Sequence, residues 1–349
     1  MEEYNRSWTL EYMLMNSDTI GAGRIVTVFG GSGFVGRYVV RALARDGWRV
    51  RVASRRPDLA FFLQPLGRPG QIVSVQANLR DQGSVTAALK GASAVVNLVG
   101  ILTQNGAQKF SSVQSQGART IAESSKVAGI TNVVHVSAIG ANPKSKSAYA
   151  RSKAEGEAAM HENIPTSIIL RPSLIFGVED EFFNRFGAMA RYFPVIPIVG
   201  AKTLFQPVYV GDVAEAVATV LANNGLPGAT YELGGPEVKS FESLIHYVLD
   251  VTQRDRKVIN LGFSAGKIVA FLMQLLTQLS LGIFPKILRM TCDQVELLKV
   301  NNIVSDTSKS QGFTLEGLGL QPHSFGSIVP NYLYRYRKTG QYQAQRLNA

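Results

Sequence analysis

The chain has 349 residues, 46% of them hydrophobic, and its 36 Lys and Arg against 25 Asp and Glu give a formal net charge of +11. That size and apolar content suit one large or two-lobed globular protein with ample core, and exclude a disordered or fibrous chain. A single cysteine, Cys292, excludes internal disulfides and thiolate metal clusters, and His135, His161, His246 and His323 show no paired ligand spacing, so no metal site is expected.

Residues 1–23 form an acidic N-terminal extension with neither a basic, apolar export pattern nor an Arg-rich presequence, so no targeting signal and a reducing compartment are expected. From Arg24 onward, strand-like runs (IVTVFG, WRVRVAS, QIVSVQA, AVVNLVG, NVVHVS, SIILRP) alternate with helix-like ones (GRYVVRALARDG, GSVTAALKGA, FSSVQSQGARTIAESSKVAG). Such alternation predicts a parallel sheet with helices on both faces. Between the first strand and first helix stands GGSGFVG, with Gly30, Gly33 and Gly36 spaced as Gly-x-x-Gly-x-x-Gly. A turn without side chains lets backbone N–H groups and a helix N-terminus meet a pyrophosphate, so this stretch predicts a dinucleotide site. Arg37, Arg41 and Arg45 recur every four residues on that helix and read as a solvated face.

The second strand ends in Ser54, Arg55 and Arg56. A carboxylate there would favour the free 2′-hydroxyl of NAD. Two guanidiniums and a hydroxyl suit a 2′-phosphate, so NADPH is favoured over NADH. Asn78, after the third strand, is placed to hydrogen-bond the adenine, and Gly100 to lie near the ribose.

Downstream, Ser137 ends NVVHVS, and Tyr149 and Lys153 in SAYARSKAEGE lie four apart on one helix face. A tyrosine needs a nearby ammonium to act as an acid–base group at neutral pH. After Pro172 the regularity fades. RYFPVIPIVGAKTLFQPVYV is expected to wrap the sheet edge, and FESLIHYVLDVTQ to form a capped helix. The uncharged stretch between Lys267 and Lys286 borders on a membrane span in length but is interrupted by Gln274, Thr277, Gln278 and Ser280. It reads either as a buried hairpin or as a surface for a membrane or a membrane-bound partner. The tail carries Arg335, Arg337, Lys338 and Arg346 and no acid, which favours an anionic lipid surface or an acidic partner. With no helix-turn-helix, RNP or zinc-finger pattern, no nucleic-acid partner is expected.

The strand–glycine–helix unit followed by Ser137 and Tyr149-x-x-x-Lys153 resembles the short-chain dehydrogenases/reductases. LRPSLIFG, QPVYVGDVAEAV and TYELGGPE extend the resemblance, over roughly 24–250, to the extended, NAD-dependent epimerase/dehydratase-like members. Gln114 stands where that family usually carries Asn, and the link from Ser137 to Tyr149 is short for a sugar-nucleotide pocket. The resemblance implies a Rossmann doubly wound parallel sheet with a smaller C-terminal α/β lobe. It also implies that Lys153 reaches the ribose and that Ser137 orients a reacting carbonyl. The organisation expected is an N-terminal extension (1–23), an NAD(P)-binding Rossmann domain (24–172), a docking or substrate-like lobe (173–320) and a basic Tyr/Arg-rich tail (321–349). The cofactor-lining residues expected are Gly30, Gly33, Phe34, Val35, Gly36, Ser54, Arg55, Arg56, Asn78, Leu79, Gly100, Ser137, Tyr149, Lys153 and Pro172.

A narrower resemblance rests on IFGVEDEFFNRFGAMARYFPVIPIVGAKTLFQPVYVGDVAEAV, TCDQVELLKVNNIVSD and YLYRYRKTGQY. These are similar to the NADPH-binding accessory subunits of respiratory complex I, the NADH:ubiquinone oxidoreductase. That family implies a tightly held nucleotide, partner subunits near the junction of the peripheral and membrane arms, and a peripheral place on the cytoplasmic face of a bacterial inner membrane, or on the matrix side in a mitochondrion. Ser137, Tyr149 and Lys153 would then be vestigial. The alternatives are a free-standing NADPH-dependent reductase or epimerase-like enzyme using Tyr149 as general acid/base, and a redox-sensing binding module.

Overall fold

The computed structural model describes residues 24–222, 227–280 and 285–340. The 1–23 extension, residues 281–284 of the apolar stretch and the end of the tail, with Arg346, lie outside the described residues. Seven strands form the central sheet: β1 (Ile25–Phe29), β2 (Arg49–Ser54), β3 (Ile72–Gln76), β4 (Ala94–Asn97), β5 (Asn132–Val136), β6 (Ile168–Pro172) and β7 (Thr230–Leu233). Their order is β7-β6-β5-β4-β1-β2-β3, with every neighbouring pair parallel. Apolar side chains point to both faces of the inner strands; Val26, Val28, Val52, Val95, Val96 and Val134 are fully buried, as a sheet covered on both sides requires. The strand order reverses at β1 and β4, so their carboxyl ends flank the crevice where such sheets bind ligands.

The helices that cover the sheet start on side-chain caps or on glycine. Helix α1 (Phe34–Arg45) has Gly33 as N-cap, α2 (Gln82–Leu89) is capped by the Asp81 carboxylate, and α3 (Gln116–Val127) continues a π turn at Ser111–Ser115. Helix α4 (Ala148–Asn163) starts at Ser147, whose hydroxyl accepts from the Ala150 N–H.

Beyond β6 the chain builds an aromatic second core. Phe176 and Phe183 are fully buried, and Phe186, Phe241, Phe325 and Tyr332 pack with them around α5 (Phe183–Tyr192) and α7 (Phe241–Thr252). The 191–210 stretch does not wrap the sheet edge. It supplies Val195–Val199, Leu204–Phe205 and Val208–Tyr209, which pair with Lys257–Leu261, Lys239–Ser240 and Ile175–Phe176 respectively. The chain then crosses back: α6 (Val210–Ala222) packs its valines and alanines into the first core, β7 closes the sheet edge, and Leu315 is buried in that same core. The lobes are therefore interleaved. Arg37 joins them by pairing with Glu179 (3.0 Å), Arg45 ties α1 to α6 through Glu215 (2.7 Å), and Arg41 alone of the three stays a solvated side chain.

The apolar stretch after Lys267 is one helix over its described part, α8 (Phe263–Leu279), rather than a buried hairpin. Gly266 and Ala270 are buried against the body, next to the short helix α9 (Cys292–Leu297). The larger side chains face outward, Ile268, Phe271, Leu272, Leu275, Leu276 and Leu279 being 42–70% exposed. Their i, i+3, i+4, i+7, i+8, i+11 spacing is an apolar stripe turned away from the protein. No described helix is long and apolar enough to cross a membrane.

Candidate functional site

At the carboxyl end of β1, Gly30 has φ +81°, a left-handed conformation that favours glycine. Gly36 is needed for another reason: a Cβ there would lie 2.3 Å from the Gly30 carbonyl oxygen. The turn and α1 are thus in backbone contact. Gly33 makes no side-chain cap, so the first amides of α1 keep their hydrogen-bonding capacity at the crevice. Val35 packs against the first core, and the Phe34 ring turns toward Tyr38 (6.1 Å between ring centres), so both line the site chiefly through backbone.

Ser54 ends β2 with its Oγ buried and without a partner. Arg55 is exposed and has no side-chain partner among the described residues, whereas Arg56 is held by Asp58 (2.8 Å). Asn78 and Leu79 open the loop after β3. Asn78 N–H donates to Ser84 Oγ (2.9 Å), its Oδ1 accepts from Arg80 N–H (3.2 Å), and Leu79 packs against Gly117 of α3.

Across the crevice the structure brings Gly100, Ser137 and Lys153 together. Lys153 is buried, its Nζ donates to the Val136 carbonyl (3.1 Å), and a Cβ on Gly100 would stand 3.4 Å from that nitrogen. Burial brings the Lys153 ammonium down to about 8. Ser137 Oγ is buried and unpartnered, while its N–H is fixed by the Leu170 carbonyl (2.7 Å). The Pro172 carbonyl accepts from Ile139 N–H (3.0 Å) and secures the strand end beside it.

Tyr149 lies one turn before Lys153 on α4, edge-on to Phe110 (5.7 Å between ring centres). Burial, then the Asp293 carboxylate, push its hydroxyl up to about 12. The direction is opposite to that of an activated acid–base tyrosine. Gln114, in the place of the usual Asn, donates from Nε2 to the Ile101 carbonyl (2.9 Å) and accepts from Ser152 Oγ (2.6 Å), bracing the loop after β4 against α4.

Three further residues were not legible as site residues. Asn97 Oδ1 accepts from Val99 N–H (3.0 Å) and its Nδ2 donates to His135 Nδ1 (3.0 Å), which fixes the turn that packs on Gly30. Burial, then the Lys153 charge, bring His135 down to about 3, so it is neutral. The available signal was a polar residue at the end of one apolar strand, Asn97, and one short of the end of another, His135. Asp293, at the start of α9, has no such signal. Its carboxylate accepts from Ser147 Oγ (2.8 Å), Ala148 N–H (2.6 Å) and Tyr149 N–H (3.2 Å), clasping the N-terminus of α4.

The orphaned amides of α1, the unpartnered Ser54 and Ser137 hydroxyls, free Arg55 and the Gly100–Lys153 gap fit a dinucleotide lying across the carboxyl ends of β1 and β4. Bound there, a nicotinamide would supply or accept hydride. The chain's own residues would hold the pyrophosphate on α1 and a ribose hydroxyl on Lys153. They would present the Ser137 and Tyr149 hydroxyls to an adjacent carbonyl.

The NAD dependent epimerase/dehydratase family matches residues 26–234. The chain is 32% identical over 323 residues to the mitochondrial NADH dehydrogenase (ubiquinone) 1 alpha subcomplex subunit 9 of Arabidopsis thaliana, covering 91% of this chain and 79% of that protein. It is 34% identical over 191 residues to a ceramide reductase of Caulobacter vibrioides, covering 54% of this chain and 58% of that protein. Among solved structures, its fold is similar to the NADPH complex of the NADPH-dependent quinone oxidoreductase QOR2 from Escherichia coli, with a TM-score of 0.68 at 19% identity over 88% of this chain and 99% of that one. Fold, glycine turn and similarity agree: the chain belongs to the NAD dependent epimerase/dehydratase family, in the extended branch of the short-chain dehydrogenases/reductases, and is a homologue of the complex I subunit 9 proteins.

Proposed function

We propose that the protein is an accessory subunit or assembly partner of respiratory complex I that holds NADPH as a structural or regulatory ligand. The observation that carries this reading is the similarity to subunit 9, which runs through both lobes rather than the nucleotide lobe alone. Tyr149, held near 12 with its helix clasped by Asp293, supports holding over turnover. Arg55, free at the end of β2 beside the orphaned Ser54 hydroxyl, supports NADPH over NADH. The apolar stripe of α8 supports peripheral docking on lipid at the cytoplasmic face of a bacterial inner membrane, or at the matrix face if the source is eukaryotic. Near the junction of the two arms, such a face would sit beside partner subunits.

The test is recovery of the tagged protein from detergent-solubilised membranes, with NADH:ubiquinone activity and nucleotide measured in the eluate. Co-purifying activity with stoichiometric NADPH is expected. A protein recovered alone overturns the reading. A second reading, a free-standing reductase, is favoured by the retained Ser137, Tyr149 and Lys153 and by the likeness to a ceramide reductase. Under it Tyr149→Phe abolishes NADPH oxidation with the substrate. Under the accessory reading the variant keeps both nucleotide and partner.

A further inference from the structure

Between β2 and β3 the chain forms a ten-residue 3₁₀ segment, Pro57–Leu66, whose burial is inverted. Only the small Ala60 and Leu63 enter the core, at 0% exposure, while Leu59, Phe61, Phe62 and Leu66 are 63%, 57%, 48% and 37% exposed. The segment is anchored in its middle and at its C-terminal end: Ala60 and Leu63 are buried, Gly67 N–H closes on the Gln64 carbonyl (3.3 Å), and Gln71 Oε1 accepts from Arg68 N–H (2.9 Å). Pro57 and Pro65 stiffen it further. A rigid knuckle presenting two phenylalanines and two leucines loses little freedom when it is covered.

Positive charge predominates around it. Arg37 stacks on Phe62 at 5.2 Å, Arg55 and Arg68 are exposed without side-chain partners among the described residues, and Asp58 is taken up by Arg56. The four cations in and beside the knuckle, Arg37, Arg55, Arg56 and Arg68, are all arginines. The acids beside it are engaged, Asp58 by Arg56 and Glu179 by Arg37. Anionic lipid attracts lysine and arginine alike. Protein interfaces enrich arginine and aromatic residues and deplete lysine. An all-arginine rim around exposed aromatic side chains therefore favours a protein surface.

We propose that the Pro57–Leu66 knuckle, rimmed by Arg37 and Arg68, docks into an acidic, apolar-floored recess on a protein partner, a different surface from the apolar stripe of α8. Resting on the accessory-subunit reading, the partner is a subunit of complex I. The knuckle begins one residue after Arg56, so the surface that docks and the strand end that reads the nucleotide are continuous.

The test uses the full chain with a photo-crosslinking amino acid at Phe61, and separately at Phe271 on α8, captured with detergent-solubilised complex I. A defined crosslink from position 61 to a complex I subunit supports the proposal. Co-purification without a crosslink from position 61 overturns it while leaving the accessory role intact; failure to co-purify overturns both. Independently, the exposed-surface variant Leu59→Ser/Phe61→Ser/Arg68→Glu should weaken retention on the complex about tenfold, with the deficit shrinking as salt is raised. Its binding to phosphatidylcholine vesicles containing phosphatidylserine should be unchanged. The opposite pattern, vesicle binding lost and complex retention kept, makes the knuckle a lipid contact and overturns the proposal.

Discussion

Removing the Asp293 carboxylate tests whether the second lobe sets the state of the nucleotide helix. Three donors at the start of α4 converge on it, at 2.6, 2.8 and 3.2 Å. Hydrogen bonds to a charged acceptor contribute about 1.5–3 kcal/mol each, but these three share one carboxylate, and Ser147 retains its own cap to Ala150 N–H. Counting the shared carboxylate as one such bond and adding about 0.3–1 kcal/mol for its charge at the helix N-terminus, Asp293→Ala should cost about 2–4 kcal/mol. With an unfolding entropy of about 2.1 cal/mol/K per residue, a chain of this length should melt about 3–6 °C lower. Asp293→Asn, which keeps an acceptor and loses the charge, should cost about 1 kcal/mol. Because the carboxylate also holds the Tyr149 hydroxyl high, both variants should shift that tyrosine's titration to lower pH, read by phenolate absorbance against a Tyr149→Phe control. Calorimetry and this titration are the assay. A melting temperature unchanged within about a degree, with the tyrosine titration unmoved, would refute the reasoning.

Arg55→Glu should weaken NADPH binding about ten- to a hundredfold and NADH little, measured by titration calorimetry; equal losses would remove the 2′-phosphate role. Gly36→Ala places a methyl 2.3 Å from the Gly30 carbonyl oxygen and should abolish nucleotide retention, checked by nucleotide released on denaturing the purified variant. His135, brought down to about 3 in the folded chain, refuses a proton that the unfolded chain accepts near pH 6.5. Its share of stability is therefore lost as pH falls from about 6.5 to 3, up to about 4–5 kcal/mol, and His135→Gln should flatten the acid limb of a stability profile. Lys153, brought down to about 8, has lost its proton where the unfolded chain still holds one. Stability of the nucleotide-free protein should rise by up to about 3 kcal/mol between pH 8 and 10.5, and Lys153→Met should remove that rise.

The nucleotide half was legible because its signals are local. GGSGFVG needs only a preceding strand and a following helix, and both formed around it. The second lobe was less legible because its pairings are long-range. Val195–Val199 becomes a strand only by meeting Lys257–Leu261, some sixty residues on, and TYEL joins the main sheet only after the chain has left it. The α8 stretch carried a clear helical spacing, but spacing does not say which side faces inward. The small residues Gly266 and Ala270 set that, by allowing close approach to the body. Asp293 was invisible for a related reason, since its partners Ser147, Ala148 and Tyr149 lie almost 150 positions earlier.

The interleaving of the lobes bears on how the protein is made. During synthesis β6 emerges as a bare sheet edge and stays so until β7, α6 and finally Leu315 arrive to cover it. The nucleotide site, complete in sequence by Pro172, thus cannot be mechanically finished until nearly the whole chain has left the ribosome. A chain truncated between Pro172 and Leu315 should fail to retain nucleotide, and capture of the dinucleotide would mark a molecule whose second lobe has also been completed.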